Sequence, residues 1–219
     1  MKYWTSGDIV TANDLNLLLV SEEYANHLGS TDNFIQIGIS GNGAVSSNTT
    51  THEMFLFTGI ANNGHAAFYT KNGYPLTANP IVINVIYKSW QAGNSGVDRY
   101  GVKIGLYDHF TSEEFAYDSQ GAYFEFQGIG AFANWDTITT PAAGQRMNSI
   151  DDLIAGDLLT IIATSSKVQF YKNGILLTTH TDYLPITSSM NIGVIVQTDG
   201  AGDIGQSMNT GVDFIGLKR

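Results

Sequence analysis

Glu125 is the nearest approach in this chain to a catalytic carboxylate of a glycosidase. It lies in the alternating run AYFEFQG, from Ala122 to Gly128, between Phe124 and Phe126. Glycoside hydrolysis needs two carboxyl groups on either side of the scissile bond, about 5–10 Å apart depending on mechanism. On a strand the next same-face position is two residues away, and there the chain places Gln127. A carboxamide is neither a general acid nor a nucleophile. The run therefore predicts a polar residue on an exposed or concave face, with no catalytic role, on a strand that can still contact sugar. The five histidines, at 27, 52, 65, 109 and 180, form no i, i+4 pair and have no carboxylate at a ligand spacing, so no transition-metal site is expected. The acidic run TDGAGD, from Thr198 to Asp203, lacks the regular ligand series of an EF-hand loop. It reads as a solvated turn, and no cofactor is expected.

Sugar recognition uses another chemistry, an aromatic face against the apolar side of a pyranose with amides and carboxylates around its hydroxyls. Two runs carry it and both read as loops: SWQAGNSGVD supplies Trp90, Gln91, Asn94 and Asp98, and FANWDTIT supplies Asn134, Trp135 and Asp136. Each Trp has the competing reading of a core or rim packing residue. A binding role requires the two loops to meet on one concave surface.

The elements that must position these residues are strands. With 24 Gly, 4 Pro and only 14% charged residues in 219, the composition suits tight turns between strands, and 43% apolar content supplies a core. The net charge of −10, with no basic cluster, argues against nucleic-acid and anionic-membrane partners. The absence of cysteine leaves stability to core burial. MKYWTSGD has no apolar run of signal-peptide type, and no segment has about 18 uninterrupted apolar residues, so a soluble protein without membrane insertion is expected.

Period-two alternation starts at Ile35, Ile37 and Ile39 and is plainest at Ile81, Ile83, Val85 and at Val102, Ile104, Leu106. Strands are predicted over residues 54–60, 66–70, 81–87, 100–107, 122–127, 158–163, 167–171, 175–179, 192–197 and 212–217. About ten strands imply two packed sheets. Ser40 to Thr51 reads as a loop, and Asn148 to Asp157 as a short helical turn capped by Ser149. Phe68 to Thr77 and Phe170 to Thr178 each place Asn-Gly at a two-residue hairpin turn. Val168, Phe170, Ile175 and Leu177 would point inward in the second, with Phe170 opposite Leu177, and Pro75 would mark the first as an edge ribbon.

Before the strands, Thr11 caps a predicted helix that stops at Gly29. Leu15, Leu18 and Leu19 form one apolar stripe, and Leu17, Val20, Tyr24 and Leu28 a second. Either both stripes pack on the chain's own sandwich, or one meets neighbouring copies or a carrier protein; the surplus stripe favours the second reading. Residues 1–30 are thus expected to attach or oligomerise the protein, and residues 31–219 to form the sandwich.

The run AGDLLTIIATSSKVQFYKNGILLTTH, from Ala155 to His180, resembles a signature of concanavalin A-like lectin and glucanase domains, including SPRY-type modules. That resemblance implies an all-β jelly-roll sandwich of two antiparallel sheets behind one N-terminal helix. WTSGDIVTANDLN, from Trp4 to Asn16, resembles the opening segment of tailed-phage tail-fibre and baseplate proteins. Together they imply a non-enzymatic receptor-binding module of a virion, made in the host cytoplasm and carried on the particle surface as a tail-fibre tip, baseplate or head-fibre component. Its expected partners are a host-surface glycan, other virion proteins and further copies of itself, as a trimer. The alternative is a structural decoration or spacer without a glycan site.

Overall fold

The alternation at Ile81, Ile83 and Val85 and at Val102, Ile104 and Leu106 places all six side chains in one core between two sheets. The computed structural model describes residues 24–25, 35–40, 44–48, 53–57, 65–70, 73–92, 99–108, 120–129, 132–140, 144–185, 189–199 and 208–218. Its strands in chain order are β1 (Tyr24–Ala25), β2 (Ile35–Ser40), β3 (Ala44–Asn48), β4 (Glu53–Phe57), β5 (His65–Thr70), β6 (Ile81–Ala92), β7 (Arg99–Tyr107) and β8 (Gly121–Ile129). They continue with β9 (Phe132–Thr140), β10 (Arg146–Ile150), β11 (Leu158–Ala163), β12 (Val168–Lys172), β13 (Ile175–His180), β14 (Asn191–Asp199) and β15 (Met208–Lys218).

A seven-stranded front sheet has the order β10-β9-β8-β7-β14-β5-β2. An eight-stranded back sheet has the order β13-β12-β11-β6-β15-β4-β3, with β1 paired to β15. Every pairing between these strands is antiparallel, and the architecture is the expected all-β jelly-roll sandwich. Aromatic pairs clamp the sheets together across the core. Phe124 of β8 meets Phe170 of β12 edge-on at 5.3 Å, and Trp135 of β9 meets Tyr87 of β6 at 5.4 Å.

The Gly-Asp turn and the Tyr-Lys-Asn-Gly hairpin noted in the sequence form one local device. Asp157 accepts hydrogen bonds from the Ile154 amide (2.8 Å) and the Asn173 side-chain amide (2.7 Å), and its other neighbour is the Lys172 ammonium at 3.2 Å. Burial alone would raise the pKa of this carboxyl, but the three donors outweigh it and hold the value below the usual range. Asn173 and Gly174 have φ of 54° and 79°, the primed turn that Asn-Gly favours. Replacing Gly174 with Val is expected to cost about 1–2 kcal/mol of global stability, read as a lowered denaturation midpoint; an unchanged midpoint would count against the hairpin.

Several expectations are corrected. A bulge between Phe170 and Tyr171 sets Phe170 opposite Thr178 instead of Leu177, and Ile175, expected inward, is exposed. The first Asn-Gly does not close a hairpin. β5 ends at Thr70 and is an interior strand between β14 and β2. Tyr74 then bridges Met190, so Pro75 lies outside any edge ribbon. The run from Ser40 to Thr51 contains β3, a polar strand at the sheet edge, where Ala44 and Ser46 face solvent and the ladder to β4 supplies the pairing. Ser149 belongs to β10, and its hydroxyl donates to Asp136 across the ladder at 2.7 Å instead of capping a helical turn. The predicted helix does not continue through Tyr24 and Ala25, which pair with Leu217 and Gly216 of β15; the rest of that helix, with Leu17, Val20 and Leu28, lies outside the described residues.

His180 ends β13 inside the core, its Nδ1 2.9 Å from the Thr139 hydroxyl and its ring against Phe170. Burial, reinforced by the Arg146 charge and opposed by Asp182, lowers its pKa to about 4. The unfolded chain takes up this proton near pH 6.5 and the folded chain only near 4, so stability falls as pH drops through that window. The expected loss is up to about 3 kcal/mol. His180→Phe should flatten the slope of stability against pH between 6.5 and 4 in chemical denaturation; an unaltered slope would contradict this assignment.

Candidate functional site

The outer face of the front sheet carries an ordered row of polar residues. The ladders align Ser149 with Asp136, Asp136 with Glu125, Glu125 with Lys103, and Lys103 with Ile195. Lys103 and Glu125 form an ion pair at 3.5 Å. Burial raises the Glu125 pKa, opposed by Lys103 and reinforced by Asp136. It lowers the Lys103 pKa, opposed by Glu125. The row one step along β7 explains how these charges are held. Gly105 lies opposite Tyr123, and a Cβ there would meet the Tyr123 Cα at 2.7 Å. With no side chain at this position, Tyr107 and Lys103 flank the Tyr123 ring, Tyr107 stacked on it at 5.1 Å and the Lys103 ammonium 4.8 Å from its centroid.

The face therefore has a second apolar cluster, Tyr107, Tyr123 and Ile138, separate from the core between the sheets. Glu125 and Asp136 are 9% and 2% exposed. They are a cross-strand pair of carboxylates, which corrects the expectation that Glu125 lacks a partner because Gln127 follows it. The partner comes from the neighbouring strand, not from the same one. Both acids are tied down, Glu125 by Lys103 and Asp136 by Ser149.

On the other side of the charged row the register aligns Asn134, Gln127, Gly101, Gln197, His65 and Ser40 across all strands from β9 to β2. Strand alternation assigns these positions to the same outer face. The register thus sets Asn134, Gln127, Gln197, His65 and Ser40 at positions of one row, interrupted by Gly101. Amides both donate and accept, as sugar hydroxyls require, and the row includes no cation.

The two predicted sugar loops do not converge. Trp90 and Gln91 lie on β6 in the back sheet, paired with Thr210 and Asn209, whereas Asn134, Trp135 and Asp136 lie on β9 in the front sheet. Trp135 is fully buried, 5.2 Å from Phe126 as well as against Tyr87. An indole enclosed in the core offers no face to a sugar, so its platform role is withdrawn. Asp136 is on the outer face but covered. Of the predicted set, Asn134 alone falls in the amide row; Asn94 and Asp98 lie outside the described residues. Lys103, Tyr107 and Tyr123 are additional residues of the face, legible as alternate positions of strands, the first two in VKIGLY and Tyr123 in AYFEFQG.

No family model matches the sequence, and no curated protein matches it. Solved structures do. The carbohydrate recognition domain of Emp47p is 12% identical, with 88% of this chain and 94% of that one covered at a TM-score of 0.57. The β-glucanase of Bacillus licheniformis is 12% identical, with 90% and 99% covered at 0.57. The endo-β-1,4-glucuronan lyase of the fungus Trichoderma reesei is 9% identical, with 90% and 95% covered at 0.58. Matches that span nearly the whole of each chain at such low identity establish a fold: this chain has the concanavalin A-like lectin and glucanase sandwich.

Proposed function

We propose that this protein is a non-enzymatic carbohydrate-recognition module that binds an uncharged host-surface glycan along the outer face of the front sheet. The observation that carries the reading is the row of amide-bearing residues from Asn134 to His65, set beside two carboxyl groups already engaged, Glu125 by Lys103 and Asp136 by the Ser149 hydroxyl. Such a row can satisfy hydroxyls, while the chain's charge of −10 disfavours uronates and sialic acids. The carbohydrate recognition domain among the structural neighbours is consistent with this use of the fold.

The resemblance of WTSGDIVTANDLN to tail-fibre and baseplate proteins supports a place on a virion surface, with residues 1–30 joining the module to other virion proteins or to further copies. A glycan array probed with the purified full chain tests the proposal. Gln127→Ala and Asn134→Ala should each weaken binding about tenfold, the value of one or two lost hydrogen bonds, at unchanged melting temperature. Retention of no glycan by the native protein would favour the decoration or spacer reading instead.

A second reading has one specific observation in its favour. Glu125, with its raised pKa, stands across the ladder from Asp136, and two carboxyl groups brought together are what glycoside hydrolysis needs. The burial of both groups and their ties to Lys103 and Ser149 weigh against it.

A further inference from the structure

Lys103, Glu125 and Asp136 stand opposite one another on three neighbouring strands, β7, β8 and β9, and are only 7%, 9% and 2% exposed. Tyr123 and Ile138 follow on the same face, two residues from Glu125 and Asp136. The Tyr123 ring covers the Lys103 nitrogen at 4.8 Å and is itself backed by Tyr107. An amine and a carboxyl group thus lie 3.5 Å apart in a place that water hardly reaches. One proton transfer between them makes both neutral. Burial, the largest influence on each, favours that form by lowering the Lys103 pKa and raising that of Glu125, and Asp136 raises the latter further. A neutral amine beside a protonated carboxyl is a nucleophile beside an acyl carbon. Groups held in such proximity react as if at a concentration far beyond that of free molecules.

We propose that Lys103 and Glu125 condense into an isopeptide bond that ties β7 covalently to β8. The Lys103 Nζ lone pair attacks the Glu125 Cδ and forms the new C–N bond. The nitrogen gives one proton to the Asp136 carboxylate, which passes it to the departing hydroxyl, and the Cδ–O bond breaks with loss of one water. Asp136 ends as it began, and no oxidant, reductant or activated donor is consumed. The Ser149 hydroxyl, which donates to Asp136 at 2.7 Å, holds that carboxyl in position. Exclusion of water from the finished site protects the amide from hydrolysis. The bond uses no residue of the amide row, so it is independent of the glycan proposal.

Tryptic digestion of the denatured full chain, followed by mass spectrometry, tests the proposal. Lys103 is the one tryptic site between Arg99 and Arg146, and an acylated lysine is not cut. The expected product is a single peptide, residues 100–146, lighter by one water than its sequence, with fragmentation placing the link between Lys103 and Glu125. Separate peptides 100–103 and 104–146 at full mass, or a water lost elsewhere in the chain, would overturn the bond. Asp136→Asn keeps the shape of the side chain but cannot carry the proton, so cleavage after Lys103 should return. A folded Asp136→Asn protein that is still linked would overturn the role of Asp136; if that variant folds poorly, the wild-type digest alone decides.

Discussion

Trp135→Ala should destabilise the domain by about 3–5 kcal/mol, the range for removing a large buried aromatic. Trp135 is enclosed between Tyr87 of the back sheet and Phe126 of its own sheet, with no exposed surface. Truncation removes the contact that bridges the sheets and leaves a cavity that two rigid ladders cannot collapse to fill. Its effect on any ligand would follow from the lost fold. Chemical denaturation measures the cost, and a loss below about 1 kcal/mol would show that the indole is not a core residue. Trp135→Phe should recover part of the loss, because a smaller aromatic still spans some of the gap.

Lys103→Met should have a comparable effect, by a different route. Removing one partner of a buried ion pair typically costs about 3–5 kcal/mol, because the remaining charge stays buried without compensation. Here the remaining charge is Glu125, with Asp136 on the adjacent strand to repel it. Adding Glu125→Gln should restore much of the lost stability, so that the double variant is more stable than Lys103→Met alone. The pH dependence has a defined sign. The Glu125 pKa, already raised in the folded protein, rises further when Lys103 is absent, so the single variant should gain stability relative to wild type as pH falls and Glu125 is protonated. Denaturation at neutral and at mildly acidic pH checks both points. A Lys103→Met protein as stable as wild type would mean that the pair is solvated.

The inward half of the sandwich was legible in the sequence, because a residue buried between sheets must be apolar and every second position of a strand is so placed. Ile81, Ile83, Val85, Val102, Ile104 and Leu106 satisfied both conditions. So was the Asn173-Gly174 turn, whose positive φ demands those residue types. β9 was not legible. Its buried positions include Asp136, Thr137 and Thr139, polar groups whose partners, Ser149, the Asn148 carbonyl and His180, are distant in sequence or on another strand. Without those partners FANWDTIT looks like a polar loop, and its Trp like a platform. The Glu125–Asp136 pair was hidden for a related reason. Same-strand spacing can be read from a sequence, but cross-strand pairing depends on register, here fixed where Ile129 meets Phe132. The outer row was hidden too, because alternation marks only the apolar face of a strand, whereas Lys103, Tyr107 and Tyr123 are buried on the opposite one.

Recognition without cleavage is the central claim, and it is tested most directly by incubating the full chain with the polysaccharide that it retains from a glycan array while following binding and polymer length together. The account predicts saturable binding, weakened by Gln127→Ala, with no new reducing or unsaturated chain ends over many equivalents of time. Accumulating chain ends that disappear with Glu125→Gln or Asp136→Asn, in variants that remain folded, would contradict it and establish the carboxylate pair as an active site.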